Sequence, residues 1–293
     1  MLVNLKDILK DCEQHKYAVG SFNTPTLETL RAVIRAAETL GTPVILNHAE
    51  NEEEVIPIEI IAPLMVEYAK NARVPVAVHI DHGETFPYLM KAIRLGFTSI
   101  MYDCSSLSLE TNICRVKQFV ALAHPLGISV EAEIGAMPNN MAGCANGKEK
   151  SDLSYMEAYF TNPQEAALFA ERTCVDALAI SFGTVHGSYE GEPHLDIGRV
   201  KQIRSAIPAE TALVMHGGSG TGEEQTRRAI DAGIRKINYF TAMDTAPAPV
   251  LLDVIEQAKG TPVHYGRLAK LAMEIMEEKV KEAMLVFLNG RSV

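Results

Sequence analysis

Short apolar runs alternate with longer stretches in which apolar positions recur every three or four residues, almost from one end of the chain to the other. The short runs are strand candidates: 17–22 (YAVGSF), 43–48 (PVILNH), 75–80 (PVAVHI), 98–102 (TSIMY), 128–134 (ISVEAEI), 176–182 (DALAISF), 211–216 (TALVMH) and 235–240 (RKINYF). Helical windows lie between them at 25–40, 57–72, 86–95, 108–123, 163–173, 197–206 and 222–232. Strands this continuously apolar belong to a parallel sheet covered on both faces. Eight strand–helix units predict an α/β fold, a closed (β/α)8 TIM barrel. The competing arrangement is an open doubly wound sheet. The number of units and the lack of GxGxxG after the first strand count against it.

No Pro/Gly/Ser-rich linker or charge block divides the chain, so residues 1–293 read as a single domain. The segment 136–162 is the longest irregular stretch, the kind of loop that serves as a lid or a binding loop. The N-terminal MLVNLKDILKDCEQHK is an amphipathic helix pattern and not a signal peptide. The tail 264–288 adds a C-terminal helix whose apolar face packs on the barrel or on a second subunit.

Chemistry collects where the strand candidates end. His82, His186 and His216 each close an apolar run and are each followed by glycine, in VPVAVHIDHG, DALAISFGTVHG and TALVMHGGSG. Three imidazoles at one rim are a natural ligand set for a catalytic Zn²⁺ that keeps a position open for substrate. The plainer reading, three core histidines satisfied by hydrogen bonds, does not explain their shared setting. Asp81, adjacent to His82, is a candidate acid/base; its plainer role is to orient a histidine. Gly187 and the run Gly217, Gly218, Ser219 free backbone N–H groups for an anion, and Asn238 and Thr241 after the last strand add donors to the same site. Asp103, Glu131 and Glu133 at the mouth bind a second cation, divalent or monovalent, orient the histidines, or pair with barrel lysines; Asp103 and Glu133 are the candidate second metal site. His48 lies at the same rim and is a candidate substrate contact. His79 reads as packing, and His15, His124, His194 and His264 as helix or loop residues. Lys236, placed near the start of the last strand and low in the barrel, is not expected to form a Schiff base.

Composition narrows the partners. The chain has 293 residues, 47% hydrophobic and 22% charged, with a formal net charge of -10. That excess of acid argues against nucleic acid and anionic membrane surfaces, but not against a small phosphorylated ligand held in a local pocket. No apolar run reaches the roughly 20 residues of a membrane span. The five cysteines are scattered and contain no CxxC pair, which fits a reducing, cytoplasmic setting.

Taken in order, YAVGSFN, IDHGETF, EAEIG, GTVHGSYEGEPHLD, MHGGSG and GIRKIN resemble the class II, zinc-dependent ketose-bisphosphate aldolase family, which includes fructose- and tagatose-bisphosphate aldolases. The resemblance spans essentially the whole chain. It implies a TIM barrel, a catalytic zinc held by His82, His186 and His216, and a homodimer or homotetramer. It also implies that Asp81 exchanges a proton with the C4 hydroxyl of a phosphorylated sugar. Gly187, Gly217 to Ser219 and the Asn238–Thr241 stretch would contact dihydroxyacetone phosphate. Asp103 and Glu133 match positions that hold an alternative or second metal in some members. The expected activity is aldol cleavage and condensation of a phosphorylated ketose. A metal-dependent sugar-phosphate epimerase or isomerase on the same barrel is the alternative, as is a non-catalytic sugar-binding barrel.

The chain also departs from the family pattern. A glycine-rich acidic segment usually follows EAEIG; here AMPNNMAGCANGKEKSD stands, and its Glu149 and Asp152 do not align with the expected acid. Phe240, Ala242 and Met243 flank Thr241 where small or charged residues are usual, and NHAENEEE after the second strand is unusually acidic. Like-charge repulsion from that segment disfavours a second phosphate, so the expected substrate is a ketose monophosphate or a modified sugar rather than fructose 1,6-bisphosphate.

Overall fold

The computed structural model describes residues 1–135, 159–184 and 193–291. Its strands are β1 (Val19–Asn23), β2 (Val44–Ala49), β3 (Val76–Gly83), β4 (Ser99–Tyr102), β5 (Ser129–Ile134), β6 (Ala177–Ile180), β7 (Ala212–Met215) and β8 (Ile234–Asn238). All neighbours are parallel, and β8 pairs with β1 to close the barrel in the order β1-β2-β3-β4-β5-β6-β7-β8. The predicted TIM barrel is the observed fold.

The helices follow the apolar periodicity closely. They are α1 (Leu5–His15), α2 (Leu27–Leu40), α3 (Ile58–Asn71), α4 (Phe86–Leu95), α5 (Leu109–Ala123), α6 (Pro163–Thr173), α7 (Ile197–Ala206), α8 (Glu223–Ala232), α9 (Thr241–Thr245), α10 (Pro247–Gln257) and α11 (Tyr265–Phe287). Local signals set their ends. Thr26 caps α2 by accepting from Thr29 N at 3.1 Å, and Gly41 ends it in the left-handed region at φ 69°. α10 lies in a stretch for which the sequence pattern predicts no helix. Its proline-flanked segment buries only Pro247, so it shows no apolar stripe facing a core.

Apolar side chains form two layers. The outer layer lies between the strands and the helices and includes Leu46, Val78, Ile100, Val130, Leu178 and Leu213. The inner layer fills the lower half of the barrel with Val19, Ile45, Ala77, Ala179 and Val214. α1 closes that end from below with Leu5, Ile8, Leu9 and Cys12. Lys6 anchors the helix: its N donates to Ser129 Oγ at 3.0 Å, and its Nζ lies 3.1 Å from Asp176. The tail helix α11 packs on the barrel, against α2, burying Met273, Met276, Val280, Met284 and Phe287. Arg35 of α2 pairs with Glu277 at 2.9 Å.

Candidate active site

Side chains alternate along a strand, so every second residue faces the barrel axis. Above the apolar floor the inward positions become polar: Ser21 on β1, Asn47 on β2, His79 and Asp81 on β3, Glu131 and Glu133 on β5, Lys236 and Asn238 on β8. All are buried. Each must therefore find a polar partner within the barrel.

Strict alternation would send Asp81 and His82 to opposite sides of the sheet. The backbone prevents this. His82 sits at φ 45°, in the left-handed region, and the pairing of β3 with β4 shifts register between Ile80 and Gly83. The irregularity turns two consecutive side chains toward the mouth. Gly83 follows because a Cβ there would come within 2.4 Å of Leu89 Cδ2 and 2.9 Å of Ile80 Cγ2. The His–Gly pairing thus has a steric cause at this strand end.

His82 and His216 meet edge to face, with ring centroids 4.8 Å apart and planes at 66°. Asp103, just past β4, lies 2.8 Å from His82 Nδ1 through Oδ2, while its Oδ1 accepts from Ser105 N and Oγ at 3.0 and 2.7 Å. A carboxylate on one ring nitrogen is the usual means of orienting a metal-binding histidine. His216 has carboxylates on both sides: Nε2 is 3.0 Å from Glu131 Oε1 and Nδ1 is 3.1 Å from Glu133 Oε2. Burial opposes protonation of His216, but its hydrogen bonds to Glu131 and Glu133 outweigh that and raise its pKa to about 10. Burial likewise opposes charge on Asp81, yet His82, Lys236 and His216 hold its carboxyl down to about 2. Asp81 is therefore ionised at neutral pH. Burial and the nearby Lys236 push His79 down to about 3, so it is a neutral imidazole.

Three groups bring ligand atoms within 4.8 Å of one another: Asp81 with His82 and His216, His82 with Asp103 and Glu133, and His79 with Asp81 and Glu131. The last already holds a cation, because Lys236 Nζ lies 2.9 Å from Glu131 Oε2. Among the described residues, Asp81, Asp103, Glu131 and Glu133 gather around one lysine, Lys236, so the site favours further positive charge. A proton on His216 or a divalent ion meets that demand. Imidazole and carboxylate donors at this density suit Zn²⁺.

Most of the residues singled out in the sequence converge here. Asp81, His82, Asp103, Glu133 and His216 share the mouth. Gly217 to Ser219 and Asn238 to Thr241 lie against one another: Gly218 N donates to Asn238 O at 2.9 Å, and Ser219 Oγ accepts from Phe240 N and Ala242 N at 3.1 and 3.3 Å. Ser219 thus stitches the two loops. A Cβ on Gly218 would strike Asn238 O at 2.8 Å, so that approach needs glycine. His186 and Gly187, with Glu149 and Asp152, lie outside the described residues.

Other expectations change. His48 is fully buried on the outer side of β2, its Nδ1 3.5 Å from Glu52 Oε2, and does not reach the barrel axis. His79 is no mere packing residue. Its Nδ1 is 2.7 Å from Ser99 Oγ and its Nε2 is 3.6 Å from Glu131. Lys236 is not low in the barrel but stands among the site residues, and Asn238 directs its amide at Asp81. Parity was the available signal: His79 shares a face with Asp81, and Lys236 with Asn238. Glu52, which accepts from Asn23 Nδ2 at 3.1 Å and Ala49 N at 2.9 Å, gave no sign beyond its acidic setting.

Known proteins share this architecture. A family model described as fructose-bisphosphate aldolase class-II matches residues 3–290. A fructose-bisphosphate aldolase from Thermus caldophilus is 35% identical, with 98% of each chain covered. A sulfofructosephosphate aldolase from Alkalicoccus urumqiensis is also 35% identical, covering 96% of this chain and 95% of its own. The crystal structure of the YdjI aldolase from Escherichia coli K12 superimposes with a TM-score of 0.84 at 32% identity over 100% of both chains. By these matches and by its barrel, the chain belongs to the class-II fructose-bisphosphate aldolase family of carbon–carbon lyases.

Proposed function

We propose that this aldolase is Zn²⁺-dependent and cleaves a phosphorylated ketose to dihydroxyacetone phosphate, or a close analogue, and an aldehyde. The observation that carries the reading is the convergence of Asp81, His82 and His216 at the barrel mouth, with ligand atoms within 4.8 Å of one another. His82, His216 and His186 would hold the metal, with Asp103 orienting His82 and, together with Glu133, offering a second cation position. When bound, Zn²⁺ supplies Lewis-acid stabilisation for the negative charge that develops on the ketose oxygens.

The chain's own residues supply the rest. Asp81 accepts the proton of the C4 hydroxyl as the bond between C3 and C4 breaks, and the aldehyde leaves. The bonding electrons pass into the adjacent carbonyl as an enediolate, which takes up a proton at C3 to become dihydroxyacetone phosphate. In condensation, Asp81 returns its proton to the new hydroxyl. Asn238 steadies Asp81 through both carboxylate oxygens. Backbone amides of Gly217 and Ser219, with Thr241 and Gly187, would hold the phosphate and so fix the reacting carbons against the base, while Gly218, whose N donates to Asn238 O, keeps the loop against the end of β8.

The rim also bears on which sugar is taken. The loops after β1, β2, β3, β4, β7 and β8 contain neither lysine nor arginine. Glu50, Glu52, Glu84 and Asp244 lie in those loops or at their borders. We read the aldehyde half as uncharged, which favours a ketose monophosphate over a bisphosphate. Free cysteines among the described residues fit a cytoplasmic protein, and no described helix is long and apolar enough to cross a membrane. The exposed Leu252 and Ile255 on α10 fit the expected homodimer or homotetramer.

The deciding experiment is a panel of ketose mono- and bisphosphates, with triose phosphate release followed by a coupled assay, in zinc-loaded and chelator-treated protein. Zinc-dependent release from a monophosphate is expected. Conversion to an isomer or epimer without cleavage, or no turnover with stoichiometric zinc, would overturn the reading.

A further inference from the structure

Lys236 is completely buried in β8, where an ammonium is costly unless every donor is used. Its Nζ donates to Glu131 Oε1 at 3.0 Å and to Asn238 Oδ1 at 2.8 Å, and forms an ion pair with Glu131 Oε2 at 2.9 Å. The last contact settles the orientation of the Asn238 amide. With Oδ1 on the ammonium, Nδ2 must face away, and it donates to both Asp81 oxygens at 2.9 and 3.1 Å. A flipped amide would set its NH₂ against the ammonium and its carbonyl against the carboxylate. Both contacts would be repulsive.

On its other side the same ammonium holds Glu131. That carboxylate lies 3.0 Å from His216 Nε2 and 3.6 Å from His79 Nε2, and His79 is itself braced 2.7 Å from Ser99 Oγ. One buried charge on β8 therefore reaches the base on β3 through Asn238 and the histidine after β7 through Glu131. We propose that Lys236 is a positioning residue that aligns Asp81 and His216 with each other by clamping Asn238 and Glu131. The inference rests on the roles proposed above for Asp81 and His216. Asn238, expected from the sequence to contact substrate, is on this view the arm through which Lys236 acts on the base. Full burial and the Glu131 pair also leave Lys236 no path to a substrate carbonyl.

Lys236→Met in the zinc-loaded protein tests this. Cleavage of the ketose phosphate on which the parent protein is most active should fall about 100-fold in kcat, with KM within about threefold, because alignment rather than binding is lost. Exchange of the dihydroxyacetone phosphate C–H proton with solvent, which does not use Asp81, should fall by less than cleavage does, because only the Glu131–His216 arm of the clamp bears on it. In the crystal structure of the variant, Asn238 Nδ2 should no longer bridge both Asp81 oxygens. If Lys236→Met does not fold, Lys236→Met with Glu131→Gln avoids the uncompensated charge and takes its place. Combining Lys236→Met with Asn238→Ala should cost no more cleavage than Lys236→Met alone, since that variant has already released the Asn238 arm. Retention of the bridge, equal loss of both half-reactions, or additive losses would each overturn the proposal. Absence of cleavage in the parent protein would instead defeat the proposed function, and the crystal structure would still judge the clamp.

Discussion

The lower and upper halves of the barrel interior are built from the same strands, two residues apart, yet have opposite chemistry. Val19 gives way to Ser21, Ile45 to Asn47, Ala77 to His79 and Val214 to His216. The lower set is small and apolar, leaving room for the side chains of α1. The upper set is polar and equally buried. Apolar contacts stabilise the floor in proportion to the area they hide. The upper half gains little from burial and is held by mutual satisfaction of its charges. The floor should therefore lose stability with little loss of activity, whereas every loss at the mouth should show in activity whatever it costs in stability.

The largest expected effect is at His216. His216→Ala should lose its metal on gel filtration, read by elemental analysis, and with it all measurable cleavage. Asp81→Ala should keep its metal while cleavage falls by roughly 10²–10⁴-fold. Near-parental turnover in that variant would remove Asp81 from the reaction. At the floor, Ile45→Ala should cost about 2–5 kcal/mol of stability in denaturant titration. Its kcat at low temperature should stay that of the parent; a matching loss of activity would show that the two halves are not separable.

The smallest effect sharpens the border between them. Burial pushes the Glu52 carboxyl up to about 7, from an ordinary 4.5. The folded chain holds a proton there that the unfolded chain releases, so this contribution to stability is complete below about 4.5 and is lost as pH rises toward about 7. Glu52→Gln should flatten that slope and add roughly 1–3 kcal/mol above neutrality. An unchanged stability–pH curve would mean that Glu52 is ionised when folded.

The structure bears out the strand count, the helix windows and the placement of Asp81, His82, Asp103, Glu133 and His216 at one rim, all of which follow from local pattern. α10 is not legible in that pattern: it buries only Pro247, and Val250, Leu252 and Ile255 are exposed. His82 was rightly placed, but its neighbour relation with Asp81 depends on a left-handed residue and a register shift that no apolar pattern signals.

By itself, the sequence determined which residues lie on each strand, which face each shares and which strand ends carry imidazoles, because a period of two is a property of neighbouring residues. Only the tertiary structure decided that Lys236 reaches Glu131 from β8, that Asn238 turns its amide to Asp81, and that α11 covers α2. Those contacts join residues far apart in the chain, and the register between strands, set when the barrel closes, is what brings them within hydrogen-bonding distance.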